Sequence, residues 1–297
     1  MMAASWLWVV FTLLAAAGQT VRNAMQRELT ATLGTVGATH VRFLFGFPFA
    51  ILFLVVVSLA MGRTLPQPGL VFWPWVLLGA LAQIAATGLM LTAMNDRSFV
   101  VTIAYIKTEA MQAAVFGLIF LGDKVTLPMA AAIAVATAGV VLMSRKGAAA
   151  GGLKPTLLGL AAGGMFALSA TGYRGAILSL GEPSFVLAAT CTVTVGLVLQ
   201  AALLTLYLAL LQRDVLGAIM RAWRPSLFAG FMGATASEFW FLAFALASVA
   251  NVRTLALVEV LFAQAISFFI FKQATTIREA LGMTMIVAGV ALLIWTN

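Results

Sequence analysis

Ten stretches of about twenty or more residues, each nearly free of charge, follow one another along the chain. They run near 4–25, 36–60, 70–92, 98–120, 126–144, 155–177, 184–211, 225–246, 252–271 and 277–296. A helix needs about 20 mainly apolar residues to cross the hydrocarbon of a bilayer. A transmembrane β-barrel would instead show alternating segments of about ten residues. These segments are twice that length and apolar on all sides, so helices are expected. Only 9% of the 297 residues are charged and 63% are hydrophobic, against roughly 25% charged in a soluble domain. A water-soluble globule and a disordered chain are both excluded. One cysteine, Cys191, rules out a disulfide framework.

Turn chemistry marks the breaks: Met61-Gly62-Arg63 through Pro66 and Pro68, Asn95-Asp96-Arg97, Gly122-Asp123-Lys124, Gly181-Glu182-Pro183, and Arg221 to Pro225. A Gly/Ala run from Gly147 to Gly152 follows Ser144-Arg145-Lys146 and reads as a linker. The first span is expected to be retained rather than cleaved as a secretion signal, because no charged residue precedes it.

The two halves resemble one another. Glu109-Ala110-Met111 and the Lys124-Val125-Thr126 region meet Glu259-Val260-Leu261 and the Ala274-Thr275-Thr276 region at a shift of 150. Ala138-Gly139-Val140 meets Ala288-Gly289-Val290 at the same shift, and Trp73-Pro74 meets Arg224-Pro225 at 151. Five spans per half is an odd number, so the second half is expected upside down relative to the first. The expected architecture is therefore an all-α integral membrane protein with ten transmembrane helices in two inverted five-helix repeats. The repeats cover 1–146 and 154–297, joined by 147–153. Inverted repeats are the usual construction of secondary transporters, with a substrate site near the midplane between halves.

Phe120-Leu121-Gly122-Asp123-Lys124-Val125-Thr126, followed by Ala138-Gly139-Val140, carries a family resemblance. The chain resembles the drug/metabolite transporter superfamily in its ten-helix EamA branch, whose pattern is LGE-x-(L/V)-T … GxxLIxxGV. Asp123 stands where that family has Glu, and the second copy, Phe271-Lys272-Gln273-Ala274-Thr275, lacks both the Gly and the acid. The resemblance implies metabolite transport across the cytoplasmic (inner) membrane, with amino-acid exporters the best-known members, so an exporter is expected.

Connectors one, three, five, seven and nine hold ten Arg and Lys: Arg27; Arg97; Arg145, Lys146, Lys154; Arg213, Arg221, Arg224; Lys272, Arg278. The even connectors hold Arg63, Lys124 and Arg253. By the positive-inside rule the odd connectors face the cytoplasm and both termini lie outside; relatives in the family are often drawn with termini inside. The formal charge of +8 reflects this orientation rather than nucleic acid, since no basic face or basic helix is present.

Ionisable groups at bilayer depth cost about 2.5–3.5 kcal/mol each on insertion scales, so they need partners or water. Arg22, Arg42, Lys107, Glu109, Arg174, Glu238 and Glu259 lie within spans, with His40 and Arg253 near ends. Glu109 and Glu259 occupy matching repeat positions and suit proton or cation coupling; their alternative role is ion pairing with Lys107, Arg42 or Arg253. Gln19, Asn23 and Gln26 fall at i, i+4 and i+7, a polar face bordered by Arg22 that must turn inward. Arg22 and Arg42 together would suit a carboxylate, which Arg binds in bidentate fashion. Gln83, Thr87, Tyr105, Tyr173, Glu238 and Trp240 complete the expected pocket, since aromatic rings beside polar groups suit small organic ligands. Trp6, Trp8, Trp73, Trp75, Trp223 and Trp295 sit at span ends and read as interfacial anchors. Ala130, Ala134 and Ala138, with Gly282 and Gly289, mark spans five and ten as close-packing helices.

No phosphate-cradling loop is encoded, so no ATP-driven pump is expected. One histidine and one cysteine make no conventional zinc or haem site, and no cofactor is expected. The sequence therefore points to alternating-access transport of a small polar or amphipathic metabolite, amino-acid-like and carboxylate-bearing, with proton coupling and with a monomer sufficient. An integral membrane enzyme acting on a lipid or small apolar substrate is the alternative from another class, and a transport-inactive scaffold is a third.

Overall fold

The structure, a computed structural model, describes residues 4–96, 105–148, 153–262, 264 and 276–296. Among these every regular element is a helix: α1 (Ala4–Leu44), α2 (Phe47–Met61), α3 (Phe72–Asp96), α4 (Glu109–Phe116, continuing as a π-turn over Gly117–Leu121), α5 (Leu127–Ala148) and α6 (Leu153–Ser179). The remainder are α7 (Phe185–Leu211), α8 (Arg213–Arg221), α9 (Trp223–Leu246), α10 (Val249–Leu255, continuing as a 3-10 turn over Ala256–Val258) and α11 (Ile277–Trp295). Six helical stretches among the described residues are long and apolar enough to cross a membrane: Glu28–Met61, Phe72–Ala93, Thr156–Ser179, Phe185–Leu211, Trp223–Leu246 and Ile277–Trp295. Leu52, Leu59, Leu81, Leu118, Leu206 and Leu281 are exposed on their outer faces. A water-facing surface could not carry so much apolar area; a lipid-facing one requires it.

The breaks at Gly62, Gly122 and Gly181 fall where turn chemistry placed them, each with a left-handed glycine. The first break differs from expectation. The helix runs on through 26–33, and the chain reverses at Gly34, whose φ of 67° and ψ of 174° form a conformation essentially confined to glycine. Gln26 Nε2 donates to Ala38 O at 3.0 Å, whereas twelve residues of straight helix would separate them by about 18 Å. The two arms of α1 are therefore antiparallel neighbours joined by one residue. Of the expected linker 147–153, Gly147 and Ala148 end one helix and Leu153 begins the next, and 149–152 lie outside the described residues. Parts of the fourth and ninth expected spans, 98–104 in the one and 263 and 265–271 in the other, also lie outside the described residues.

Small residues set the pairing of helices. α3 packs along α6, α1 along α9, and α5 along α11. A Cβ at Gly172 would lie 2.7 Å from Gly79 N, and one at Gly230 would lie 2.5 Å from the Phe45 carbonyl carbon. The α5–α11 crossing is built from Ala132, Ala136 and Gly139 against Gly282 and Gly289. This corrects the expected stripe: Ala130, Ala134 and Ala138 are exposed. A four-residue spacing of alanines fits any helix face, and alanine is as acceptable toward lipid as toward a helix; Gly139, not the alanines, sets the phase. We therefore expect Ala134→Leu to leave the thermal midpoint in detergent unchanged, while Ala136→Leu lowers stability by about 1–3 kcal/mol. Equal effects from the two would contradict the crossing. Trp6, Trp73, Trp223 and Trp295 are exposed at helix ends as anchors should be, but Trp8 is buried and Trp75 packs against Gly175.

Candidate substrate site

Two helices are interrupted in the middle of the molecule. Before α4 the chain makes a turn at Lys107–Thr108, with i→i+3 bonds from Thr108 N to Tyr105 O and from Met111 N to Thr108 O. Before Glu259, α10 tightens into the 3-10 turn at Ala256–Val258. Each of these turns stands directly before a glutamate, Glu109 and Glu259. Gly159, Gly163 and Gly164 of α6 provide the flat face on which the first break rests: a Cβ at Gly163 would lie 2.8 Å from Ile106 O.

Six charged side chains converge here, none more than 5% exposed: Arg22, Arg42, Lys107, Glu109, Arg253 and Glu259. Lys107 Nζ meets Glu259 Oε2 at 2.6 Å, and Arg253 Nη1 meets Glu109 Oε1 at 3.6 Å. Each half's glutamate is thus held by the other half's cation. Lys107 does not reach Glu109, as two positions on one helix point apart. Gln19 bridges the set, donating from Nε2 to Glu259 Oε2 at 3.4 Å and accepting from Trp240 Nε1 at 3.0 Å. The Arg253 guanidinium lies 4.5 Å from the centre of the Trp240 ring and 5.2 Å from that of Phe244, close enough for cation–π attraction. Arg22 Nη2 donates to Asn23 Oδ1 at 2.8 Å.

Arg42 adjoins this set. With the Gln83 amide turned so that its nitrogen donates to Ser169 Oγ at 2.9 Å, its oxygen accepts from Arg42 Nη1 and Nη2 at 3.1 and 3.0 Å. That assignment satisfies both ends of the amide. Arg42 Nη2 also lies 3.4 Å from Ser237 Oγ, and Tyr173 and Gln200 close the wall. Gly233 of α9 carries the stems of both arginines: a Cβ there would lie 3.3 Å from Arg42 Cγ and 3.5 Å from Arg22 Cδ.

A solved chain has this fold. Described as "Crystal structure of protein", it superposes with a TM-score of 0.69 over 99% of this chain and 99% of its own length, at 18% sequence identity. At that identity the likeness concerns the fold alone. No protein-family model matches the sequence, and no curated protein matches it.

Of the expected site residues, Gln19, Arg22, Asn23, Glu109, Trp240 and Glu259 come together in the first set, and Arg42, Gln83 and Tyr173 in the second. Tyr105 does not join them; it packs on Gly159. Glu238 lies one residue from Ser237 and so on another face of α9, where Thr190 Oγ1 sits 2.5 Å from its Oε1. Its Oε2 is buried without a partner among the described residues. Lys107 and Arg253, weighed from the sequence only as ion-pair partners, are central. Ser169, Gln200 and Ser237 were missed, because isolated Ser and Gln in a span carry no pattern. Arg253, counted with a connector, is buried in α10, so the even connectors hold only Arg63 and Lys124.

The enclosed space at the first set is about 10 Å³, the size of one water. A larger cavity of about 540 Å³ opens at one end of the molecule, lined by Trp8, Asp123, Arg174, Ser248, Asn251 and Ile294 among others. Asn251 lines this vestibule, and the same short helix, α10, carries Arg253 of the buried cluster. Arg174 anchors the rim, its Nη1 donating to Phe244 O and Ala247 O and its Nη2 lying 3.6 Å from Asp123 Oδ1.

Proposed function

We propose that this chain is a ten-helix secondary transporter of the drug/metabolite transporter kind, with two inverted five-helix halves. It carries a small polar metabolite bearing an acidic group across the cytoplasmic membrane by alternating access, as an exporter. The observation that carries the reading is the buried charge cluster drawn from both halves, with each glutamate paired across to the other half's cation. Charges at bilayer depth are costly and are retained where a solute path needs them. The packing supports the repeat: exchanging the halves turns the α1–α9 contact into α6–α3, and returns α5–α11 to itself. The local tightening of the chain beside both glutamates is in keeping with the broken helices that such carriers place around a site.

The vestibule shares its end with Trp6 near the N-terminus and Thr296 near the C-terminus, the end poor in Arg and Lys; the charge rule makes that end external. Rocking of the halves would close it and open the cytoplasmic end. The test is uptake into liposomes holding the purified chain, screened across amino acids and organic acids with and without a pH gradient. Removing a charge-assisted contact costs about 1.5–3 kcal/mol, so Arg22→Ala is expected to weaken substrate affinity roughly 10- to 100-fold. Unchanged affinity in that variant would remove Arg22 from the site, and the absence of carriage for every solute would defeat the transporter reading.

A further inference from the structure

The charges at the centre do not balance. Four cations (Arg22, Arg42, Lys107 and Arg253) face two carboxylates (Glu109 and Glu259), and each carboxylate already holds one cation. Among the described residues Arg22 hydrogen-bonds only the neutral Asn23 amide, and Arg42 only the neutral Gln83 and Ser237. Glu259 is within electrostatic reach of Arg22 but its ion pair is with Lys107. The chain has nine acidic residues. Asp123 faces Arg174, Glu182 faces Arg63, Glu238 faces Thr190, and Glu279 caps α11. Glu28 and Asp214 are exposed, and the Asp96 side chain is outside the described residues.

The unsatisfied atoms tell the same story. In the two adjoining sets the buried polar atoms without a partner among the described residues are Arg22 Nε and Nη1, Arg42 Nε and Arg253 Nε. All four are N–H donors. An uncompensated buried charge costs several kcal/mol, and an unmet buried donor adds to it. The stems of the two arginines meet at Gly233 and Arg42 lies within electrostatic reach of Arg22, so one compact group between them can act on both charges.

Building on the carrier reading above, we infer that the solute is a small dianion, with two negative charges on one phosphate or on two nearby carboxylates. A zwitterionic amino acid brings no net charge, and its ammonium would have to compete for glutamates that are already engaged. A monocarboxylate cancels one charge and leaves one. A dianion cancels both and gives the idle N–H groups oxygen acceptors, which guanidinium forks match well.

The experiment follows thermal unfolding of the purified full chain in detergent through exposure of the buried Cys191 thiol to a maleimide dye. Inorganic phosphate and succinate are compared with acetate, chloride and glycine at equal ionic strength and pH 8. A ligand that binds only the folded state raises the midpoint. Phosphate, succinate or both are expected to give a saturable rise of at least about 3 °C, with acetate, chloride and glycine giving none. Which of the two dianions acts distinguishes a phosphate group from a dicarboxylate. Arg22→Gln removes one positive charge, so it is expected to lose preference for the dianion and gain a response to acetate; a merely structural Arg22 would not change selectivity. If Arg22→Gln does not fold, competition among the same anions on the unaltered chain decides. A response to glycine or other amino acids but not to dianions would overturn this inference and leave the carrier reading standing. If the dianions act equally on the Arg22→Gln variant, the assignment to this cluster is overturned. If none of these solutes binds and none is carried in liposomes, the carrier reading itself fails.

Discussion

Glu259→Leu is expected to destabilise the protein by about 3–5 kcal/mol, the usual cost of removing one partner from a buried ion pair. The variant leaves Lys107 Nζ without its 2.6 Å acceptor and raises a cluster already rich in cations by one further charge. Lys107→Met should be the milder change, although it breaks the same pair. It leaves a carboxylate, not a cation, and Arg22 stands within electrostatic reach of that carboxylate with two idle nitrogens. The double variant Lys107→Met/Glu259→Leu should recover most of the lost stability, since apolar replacements of buried pairs are often neutral. On the carrier reading it should not recover transport. Thermal midpoints in detergent order the three variants, and a larger loss in Lys107→Met than in Glu259→Leu would contradict an excess of positive charge at the centre.

Gly139→Leu should be nearly as damaging by an unrelated route. A Cβ at that position would lie 2.6 Å from Gly282 O and 3.0 Å from Ile286 N. Both are backbone atoms of α11, so no side chain can rotate aside, and the whole helix must shift. Gly282→Leu meets the reciprocal obstacle, Gly139 O at 2.6 Å, together with the Met143 side chain. Overpacking of this kind costs about 1–3 kcal/mol where side chains can adjust, and backbone contact places these variants at or above the top of that range. The two glycines share one crossing, so the double variant should cost less than the sum of the singles. Additive losses, or a midpoint unchanged in either single variant, would mean that α5 and α11 do not approach so closely.

What could be read from the sequence divides along physical lines. Gln19, Asn23 and Gln26, bordered by Arg22, stood out because polar groups on one helix face inside an apolar run have nowhere to go but inward. Glu109 and Glu259 stood out because a shared offset linked them. Their partners did not, because Lys107–Glu259 and Arg253–Glu109 join residues 152 and 144 positions apart, and no local pattern carries that distance. Glu238 and Tyr105 were placed in the site because depth along a helix is legible from sequence, whereas azimuth is not; about 100° separates Glu238 from Ser237. The alanine stripe of α5 failed for the same reason. The reversal at Gly34 was hidden because the residues on both sides, Thr30 to Leu33 and Thr35 to Ala38, continue helix without a proline or a charged turn.

That reversal has a consequence for how a carrier of this build would discriminate among solutes. A hinge of one residue has no slack, and the arms it joins are clasped by Gln26 on Ala38. They must swing as a single fork, with Arg22 on one tine and Arg42 on the other. In such a carrier, whichever side of the membrane the fork faced, the backbone positions of its two arginines would stay at the same spacing. Recognition of charge is then constant through the cycle, and only the surrounding helices are free to change the size and shape of what they enclose.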